Sequence, residues 1–174
     1  MNTIDRINVL DLPTFTALFG ALYEHSPWIA EKAWEHRPFL DKAELLSAFQ
    51  NVVASASPEQ QMVLIREHPE LARRVGVDES LTTASQNEQA SAGLDRLTPA
   101  EHKQFTALND AYRSKFSMPF IICVRLSEKD HILSEMARRT HNTPEQERAA
   151  ALTEIDKIAA IRCDDVLKKL EADS

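Results

Sequence analysis

Hydrophobic residues recur at helical spacing in three long stretches of the chain. One stretch contains Phe105, Leu108, Tyr112 and Phe116 at steps of three and four residues, which predicts a helix from about 99 to 116. A second contains Phe15, Leu18, Phe19 and Leu22. The third contains Leu152, Ile155, Ala159, Val166 and Leu170, one stripe of a long helix predicted from about 144 to 171. These amphipathic patterns indicate helices that bury one face each.

Signals for helix starts appear at five positions between these patterns. Each combines a capping side chain with a proline at the first helical position, with an acid or amide three residues later, or with both. They are Ser26-Pro27-Trp28, Asp41 with Glu44, Ser57-Pro58 with Gln60, Thr98-Pro99 with Glu101, and Thr143-Pro144 with Gln146. Five such starts predict an all-α fold, a single-domain helical bundle over residues 1–174.

One apolar segment departs from the helical pattern. The stretch FSMPFIICV, from Phe116 to Val124, is rich in β-branched residues and is interrupted by Pro119. No partner strand is visible elsewhere in the sequence. We therefore expect a short, buried, extended segment near 117–124 that links two helices.

Composition excludes several classes of function. Only three of the 174 residues are glycine, and none forms a phosphate-binding loop. Cys123 and Cys163 are too few for a disulfide framework and are expected to be small core residues, and the six histidines show no metal-ligand spacing. We therefore predict no metal and no organic cofactor.

The net charge, the longest apolar stretch and the N-terminal sequence indicate which partners and which location to expect. The net charge of −7 disfavours binding to nucleic acid or to anionic membranes. The longest uncharged apolar stretch, from Leu12 to Tyr23, is too short to span a bilayer, and the N-terminus lacks the basic start of a signal peptide. These features predict a cytoplasmic protein.

His68 is the first candidate for chemistry. Proline disfavours helical geometry in the residue before it, so the helix that begins at Pro58 should stop near His68, followed by a turn from Pro69 to Arg73. A histidine at a helix end can face a cavity and exchange protons near neutral pH. It can equally be an ordinary surface or C-capping residue.

A polar trio forms the second candidate. Ser85, Glu88 and Gln89 lie at i, i+3 and i+4, so on a helix they share one face. Neighbouring apolar residues indicate partial burial, and buried polar groups need partners. The alternative is a solvated helix start in which Ser85 and Glu88 form a capping box.

Arg162 is the third candidate, because it falls within the apolar stripe of the last helix. An arginine in such a position pairs with a carboxylate or binds an anion. It can also extend its long side chain from the edge of the stripe to solvent. The pattern alone leaves these three alternatives open.

The ordered motifs of the chain resemble those of the OHCU decarboxylases of urate catabolism, where OHCU is 2-oxo-4-hydroxy-4-carboxy-5-ureidoimidazoline. The matching stretches are YEHSPW at 23–28, RPF at 37–39, HPELA at 68–72, SQNEQASAGLDRL at 85–97, FTALNDAYRSKFSMPFIICV at 105–124 and IAAIRCDDVL at 158–167. HPELA alone is weak. The order and spacing of all six stretches are specific, and they cover nearly the whole chain.

The resemblance implies an all-helical, homodimeric enzyme without metal or organic cofactor that converts OHCU to (S)-allantoin and carbon dioxide. It implies that His68 is the catalytic histidine, that Glu88 is its acidic partner and that Arg162 binds the substrate and stabilises charge. The further substrate-binding residues that it implies are Pro69, Ser85, Gln89, Phe120, Ile121 and Ile122. Of these, the segment Phe120–Ile122 would hold the ring through its backbone.

Two other functions remain open on the sequence. A non-catalytic helical binding or scaffold module fits the composition equally well. A related lyase acting on a different small acid fits the same fold, because specificity depends on the shape of the pocket. The resemblance also suggests that Gly93 leaves room for close packing or for substrate.

Overall fold

The structure of the protein, a computed structural model, describes residues 1–72 and 82–174. Those two ranges contain nine α-helices, one short 3-10 helix and no strand, which confirms the all-α class. The α-helices are α1 (Thr3–Asn8), α2 (Leu12–Phe19), α3 (Trp28–Trp34), α4 (Lys42–Ser55), α5 (Pro58–Glu67), α6 (Thr83–Ser91), α7 (Pro99–Phe116), α8 (Lys129–Arg139) and α9 (Pro144–Ala172). The 3-10 helix, Val124–Leu126, lies between α7 and α8.

The chain divides into two compact units. The first comprises Met1–Leu64 and Asp156–Ser174, and the second comprises Ile65–Ile155. Their boundaries fall inside α5 and α9, so each of these helices contributes residues to both units. None of the helices in the described ranges is both long enough and apolar enough to cross a bilayer.

Four of the five predicted helix starts are confirmed by their capping contacts. Asp41 accepts a hydrogen bond from the backbone N–H of Glu44 at 2.9 Å. The starts at Ser57, Thr98 and Thr143 are reciprocal capping boxes, with the amide or acid three residues on as the partner. These bonds satisfy backbone N–H groups that the helix itself leaves without acceptors.

The predicted start at Ser26 is wrong in detail. Helix α3 begins at Trp28, Pro27 occupies the N-cap position, and no side chain caps it. The hydroxyl of Ser26 instead donates to the backbone carbonyl of Glu24 at 3.0 Å. The Ser26 hydroxyl therefore bonds within a local turn, whereas the sequence pattern predicted that it would cap the helix.

The first unit is built around four phenylalanines, Phe15, Phe19, Phe39 and Phe49, whose paired ring centroids lie 4.8 to 6.3 Å apart. All four rings are buried. Helix α2 ends at Phe19, so the predicted helical partner Leu22 lies beyond it, although Leu22 is also buried. This cluster is the aromatic core of the unit.

The second unit has its aromatic centre on α7. Tyr112 packs against Phe116, and Phe120 meets the Tyr112 ring edge-on at 5.3 Å. The buried positions of α7 are 105, 109, 112 and 116, so Asn109 takes the place expected for Leu108, which is only half-buried. A polar side chain therefore points into the core of this unit.

The segment after α7 is buried and non-helical, as predicted. Ser117 ends α7 in a left-handed conformation, with φ of 56°. Residues 118–123 are all buried and belong to neither helix nor strand. The segment ends at Cys123, because Val124 begins the 3-10 helix.

The long helix α9 matches its predicted range, but its buried stripe is shifted. Ile155 and Ala159 are buried as expected, together with Arg162. The other buried positions of the helix are Glu147, Ala151, Ile158, Cys163 and Leu167, whereas Leu152, Val166 and Leu170 are half-buried. The stripe thus carries two charged residues, of which the sequence pattern singled out Arg162 but not Glu147.

Candidate active site

His68 lies directly after the end of α5. The helix stops at Glu67, as expected for the residue before a His-Pro pair, and the backbone N–H of His68 closes the last turn on Ile65 O at 3.2 Å. His68 is half-buried and Pro69 is buried. The predicted turn continues through Ala72, and its last residue, Arg73, lies outside the described residues.

Two buried side chains hold the turn after His68. The backbone N–H of Ala72 donates to Gln89 Oε1 at 3.0 Å, and Asn109 Nδ2 donates to the carbonyl of Leu71 at 3.0 Å. Ala72 has a positive φ of 60°, which is unfavourable for a residue with a Cβ and persists only when its surroundings fix it. These two bonds therefore set the path of the chain beside His68.

Helix α6 carries the polar trio, and its start corrects one alternative. The N-cap is Thr82, which accepts from the backbone N–H of Ser85 at 3.2 Å, so Ser85 is not the cap of a box with Glu88. Ser85 and Gln89 are buried and Glu88 is half-buried. The trio thus shares one helix face, as the spacing predicted, and that face is largely buried, as the neighbouring apolar residues indicated.

Gly93 ends α6 through its backbone conformation. Its φ is 79°, its N–H donates to Ala90 O, and the N–H of Leu94 donates to Gln89 O. This pattern is a Schellman motif, which glycine forms without strain. No described atom lies within 4 Å of where its Cβ would be, so none of the described residues uses the room that the resemblance suggested Gly93 leaves for close packing.

The segment Phe120–Ile122 lies in the same unit as His68 and α6. All three residues are buried, and Arg139 Nη1 donates to the carbonyl of Ile121 at 2.7 Å. The guanidinium of Arg139 also lies over the Phe120 ring at 4.4 Å. One residue of α8 therefore contacts both the backbone and a side chain of the segment.

Cys123 directly follows this segment, and a carboxylate of α6 affects the pKa of its thiol. Burial raises the pKa of its thiol, and the carboxylates of Glu154 and Glu88 raise it further. The backbone N–H of Cys123 donates to Glu154 Oε1 at 3.4 Å. The thiol is thus a buried, protonated group, as expected for a core cysteine, and Glu88 is close enough to act on it.

Arg162 belongs to the first unit, where it forms a buried ion pair. Its Nη2 lies 2.7 Å from Glu24 Oε1, and its Nη1 donates to the carbonyls of Ala21 at 3.3 Å and Leu22 at 3.5 Å. The exposed fractions of Arg162 and Glu24 are 6% and 2%. Of the three alternatives, the ion pair is present, and it holds the guanidinium in one orientation.

Asp156, six residues before Arg162 on α9, is another carboxyl of the first unit, and its pKa is raised. Burial raises its pKa from 3.8 to about 6, against a smaller opposing effect of the hydrogen bond from Tyr23. The Tyr23 hydroxyl donates to Asp156 Oδ1 at 3.5 Å. Burial and the neighbouring Asp156 carboxylate place the pKa of Tyr23 well above its usual range. The Tyr23 hydroxyl therefore stays protonated, and can donate, at every physiological pH.

Three structural partners of these residues were not identified from the sequence: Glu24, Asn109 and Arg139. Arg139 shares its stripe with the buried Ile132 and Met136, at i, i+4 and i+7. This is the same signal, a charge in an apolar stripe, that singled out Arg162. Glu24 lies outside any helix, so no periodicity could have identified it.

No group of three His, Cys, Asp or Glu side chains in the described ranges is arranged to hold a metal ion.

Comparisons with known proteins match nearly the whole chain. The family model described as OHCU decarboxylase matches residues 8–164. The 2-oxo-4-hydroxy-4-carboxy-5-ureidoimidazoline decarboxylase of Haloferax volcanii is 41% identical over 92% of this chain and 93% of that protein. The uric acid degradation bifunctional protein PucL of Bacillus subtilis is 35% identical over 96% of this chain, but over 33% of its own length. A crystal structure of (S)-allantoin synthase superposes with a TM-score of 0.76 at 28% identity, over 95% of this chain and 54% of that one.

Proposed function

The chain belongs to the OHCU decarboxylase family, and on that premise we propose that it converts OHCU to (S)-allantoin and carbon dioxide in urate degradation. The observation that carries the proposal is the hydrogen bond between Gln89 and Ala72, at 3.0 Å. It joins the polar face of α6 to the turn that directly follows His68. This bond therefore connects two of the three candidates for chemistry, the segment that begins at His68 and the polar trio of α6. The third candidate is Arg162.

The proposed reaction needs two kinds of assistance. The bond between the ring carbon and the carboxylate breaks, carbon dioxide leaves, and the electron pair stays on the ring. The hydroxyl on that carbon loses its proton and becomes a carbonyl, the ring nitrogen takes up a proton, and a proton adds to one face of the neighbouring carbon that carries the ureido group. Starting from the carboxylate, the overall reaction consumes one proton. The protein must therefore stabilise negative charge on the ring and deliver a proton stereospecifically.

We assign the proton transfer to His68. Histidine has an ordinary pKa near neutral pH and can both accept and donate a proton there. Its half-buried position at the end of α5 gives the ring access to a small ligand, while the fixed backbone of the turn sets its direction. Glu88, half-buried on α6, orients the imidazole or a substrate N–H group.

We assign substrate positioning to Ser85, Gln89, Pro69 and the segment 120–122. The Oε1 atom of Gln89 is engaged by Ala72, so its amide NH2 is the group that donates to an oxygen of the substrate. Ser85 lies one turn earlier on the same buried face. Backbone groups of Phe120, Ile121 and Ile122 complete the recognition of the ring, with Pro69 as an apolar wall.

Arg162 is proposed to bind the anionic substrate and to stabilise the charge that develops as carbon dioxide leaves. An acidic chain repels an anion at long range, so a local cation is needed. The ion pair with Glu24 supports the role because it orients a guanidinium that has five N–H donors. The same fork geometry is unavailable to lysine.

The test is to generate OHCU from urate in situ and to follow circular dichroism as (S)-allantoin appears. Addition of the purified protein should accelerate formation of the optically active product well beyond the spontaneous decay, which is racemic. Equal rates with and without the protein would overturn the proposal. Product that forms faster but without optical activity would point to the alternative of a different natural substrate.

The proposal extends to assembly and location as the family resemblance implies them. We propose that the protein is a homodimer and acts in the cytoplasm. Light scattering coupled to size-exclusion chromatography measures the first, and fractionation of the source cells measures the second. A mass equal to that of one 19.6 kDa chain would contradict the dimer.

A further inference from the structure

A buried polar network lies behind the segment Phe120–Ile122 in the second unit. Arg139 Nε donates to Glu147 Oε1 at 2.8 Å, and the Tyr112 hydroxyl donates to the same oxygen at 2.6 Å. Asn142 Nδ2 donates to Glu147 Oε2 at 2.9 Å. The exposed fraction of Glu147 is 0% and that of Arg139 is 3%, so the network is screened from solvent.

The network reaches the segment through two contacts of one side chain. Arg139 uses Nη1 to donate to the carbonyl of Ile121 at 2.7 Å, and its guanidinium lies over the ring of Phe120. Tyr112 meets the same ring edge-on. Burial and the neighbouring Glu147 keep the pKa of Tyr112 far above its usual range, so its hydroxyl remains a donor.

Stability alone is a poor explanation for such a network. Removing two opposite charges from water costs about as much as their attraction returns, and apolar residues of similar volume often replace a buried ion pair without loss. The fork of an arginine does something that apolar residues cannot do. It fixes the direction of a backbone carbonyl in a segment that has no strand partner in the described part of the chain.

Fixing the Ile121 carbonyl also fixes the neighbouring N–H group. Among the described residues only the bond before Pro38 is cis, so the peptide between Ile121 and Ile122 is trans. In a planar trans peptide the carbonyl and the N–H point in opposite directions. The N–H of Ile122 therefore points away from Arg139, and its direction cannot change unless the bond to Arg139 breaks.

We propose that Arg139, held by Glu147 and Tyr112, is a positioning residue that aims the Ile122 N–H at the ring oxygen on which negative charge develops. This inference rests on the proposed function, because it gives one backbone group of the substrate-binding segment a specific task. A donor fixed in advance and screened from water stabilises developing charge more than one that must reorient. Arg139 does this without touching the substrate.

The kinetic test compares two neighbouring arginines of α8. Arg139→Lys keeps the charge but cannot hold Glu147 and the Ile121 carbonyl with one planar fork, so kcat should fall about 10- to 100-fold while KM changes little. Arg138→Lys is the matched control, since Arg138 pairs with Glu135 at an exposed site. It should retain wild-type kcat. Unchanged kcat in a folded Arg139→Lys protein would overturn the inference.

Tyr112→Phe tests the same network with a smaller change. It removes the hydroxyl bonded to Glu147 and keeps the aromatic ring packed against Phe120, so the protein should fold. The expected kcat lies between those of wild type and Arg139→Lys. If Arg139→Lys does not fold, this variant decides the question alone, and a wild-type kcat would contradict the proposal.

A structural readout separates this inference from the proposed function. The amide resonance of Ile122 in 15N–1H NMR spectra of the ligand-free proteins reports the environment of its N–H. It should shift in Arg139→Lys and remain unchanged in Arg138→Lys. Wild-type protein that fails to convert OHCU would overturn the proposed function, and the amide shift would then decide whether Arg139 orients the peptide. An Ile122 resonance identical in all three proteins would overturn the positioning role.

Discussion

Gln89 accepts a hydrogen bond of 3.0 Å from the backbone N–H of Ala72, so a side chain expected to bind substrate also holds the turn after His68. The two tasks use different atoms of one amide. The Oε1 atom serves the fold, and the NH2 group is the donor proposed for the substrate. A substitution can therefore remove one task and keep the other.

Gln89→Glu should keep the fold and weaken substrate binding. A carboxylate has nearly the same shape and still accepts from Ala72, but it cannot donate and it repels an anionic substrate. We expect a KM for the folded protein raised about 10-fold, equivalent to about 1.4 kcal/mol. Because Gln89 is buried, the new carboxylate should also lower the free energy of unfolding at pH 7, by about 1–2 kcal/mol, and this loss should shrink at acidic pH as the carboxyl is protonated. The control is Asn87→Asp, the same amide-to-acid change at an exposed site on α6. An unchanged KM in Gln89→Glu would remove Gln89 from the binding site.

Gln89→Leu should damage the fold instead. The N–H of Ala72 would lose its acceptor in a buried turn with positive φ, which costs about 1–3 kcal/mol. The measurement is the midpoint of urea unfolding for wild type, Gln89→Glu and Gln89→Leu. Equal midpoints for all three would show that the hydrogen bond does not stabilise the turn.

Local chemistry accounts for most of the fold that the sequence predicted. Each confirmed capping contact involves two residues that are three positions apart, so it can be recognised in the sequence. The capping residues are Asp41, Ser57, Thr98 and Thr143. The start at Ser26 failed because its hydroxyl bonds to a carbonyl outside the helix. Tertiary packing, which residue spacing does not encode, also decided which face of α9 is buried.

The candidate site likewise contains features that the sequence predicted and partners that it did not. The end of α5 before His68 and the shared face of Ser85 and Gln89 follow from the sequence, since proline geometry and helical spacing are local. The partners Asn109 and Glu24 do not, because each bonds to a residue more than 30 positions away in the chain. The chemical identity of the substrate came from the family resemblance and not from these patterns.

His68→Asn should remove most of the activity and keep the fold. Asparagine is polar and fits the half-buried site, but it cannot take up and release a proton near neutral pH. We expect kcat to fall by about 10² to 10⁴. His131→Asn is the matched control, because His131 is an exposed histidine of α8. Single-turnover rates near those of wild type in a folded His68→Asn protein would exclude a role in proton transfer.

Arg162→Lys and Glu24→Gln together separate binding from structure. Both weaken the buried ion pair. Arg162→Lys keeps the charge and should lower the free energy of unfolding by about 1–3 kcal/mol, whereas Glu24→Gln removes the charge that faces a buried guanidinium and should lower it by about 3–5 kcal/mol. Only Arg162→Lys removes the guanidinium proposed to bind substrate, and its kcat/KM per folded molecule should fall about 10²-fold or more. Glu24→Gln should keep at least a tenth of the wild-type value. If both variants lose activity only in proportion to their unfolded fraction, Arg162 is structural.

Asp156 should make the folded state less stable as the pH rises from about 4 to about 6. Burial raises its pKa from 3.8 to about 6, so in this range the folded state holds the proton more tightly than the unfolded chain, and stability falls as the proton is lost. Asp156→Asn keeps an oxygen that accepts from the Tyr23 hydroxyl and carries no charge. The variant should therefore match wild type below pH 4 and exceed it by about 1–2 kcal/mol at pH 7, since a half-buried carboxylate retains part of its hydration. Chemical denaturation of both proteins across this range measures the difference, with Asp173→Asn, an exposed site, as the control for the charge change itself. A difference that does not vary with pH would show that Asp156 ionises equally easily in the folded and unfolded states.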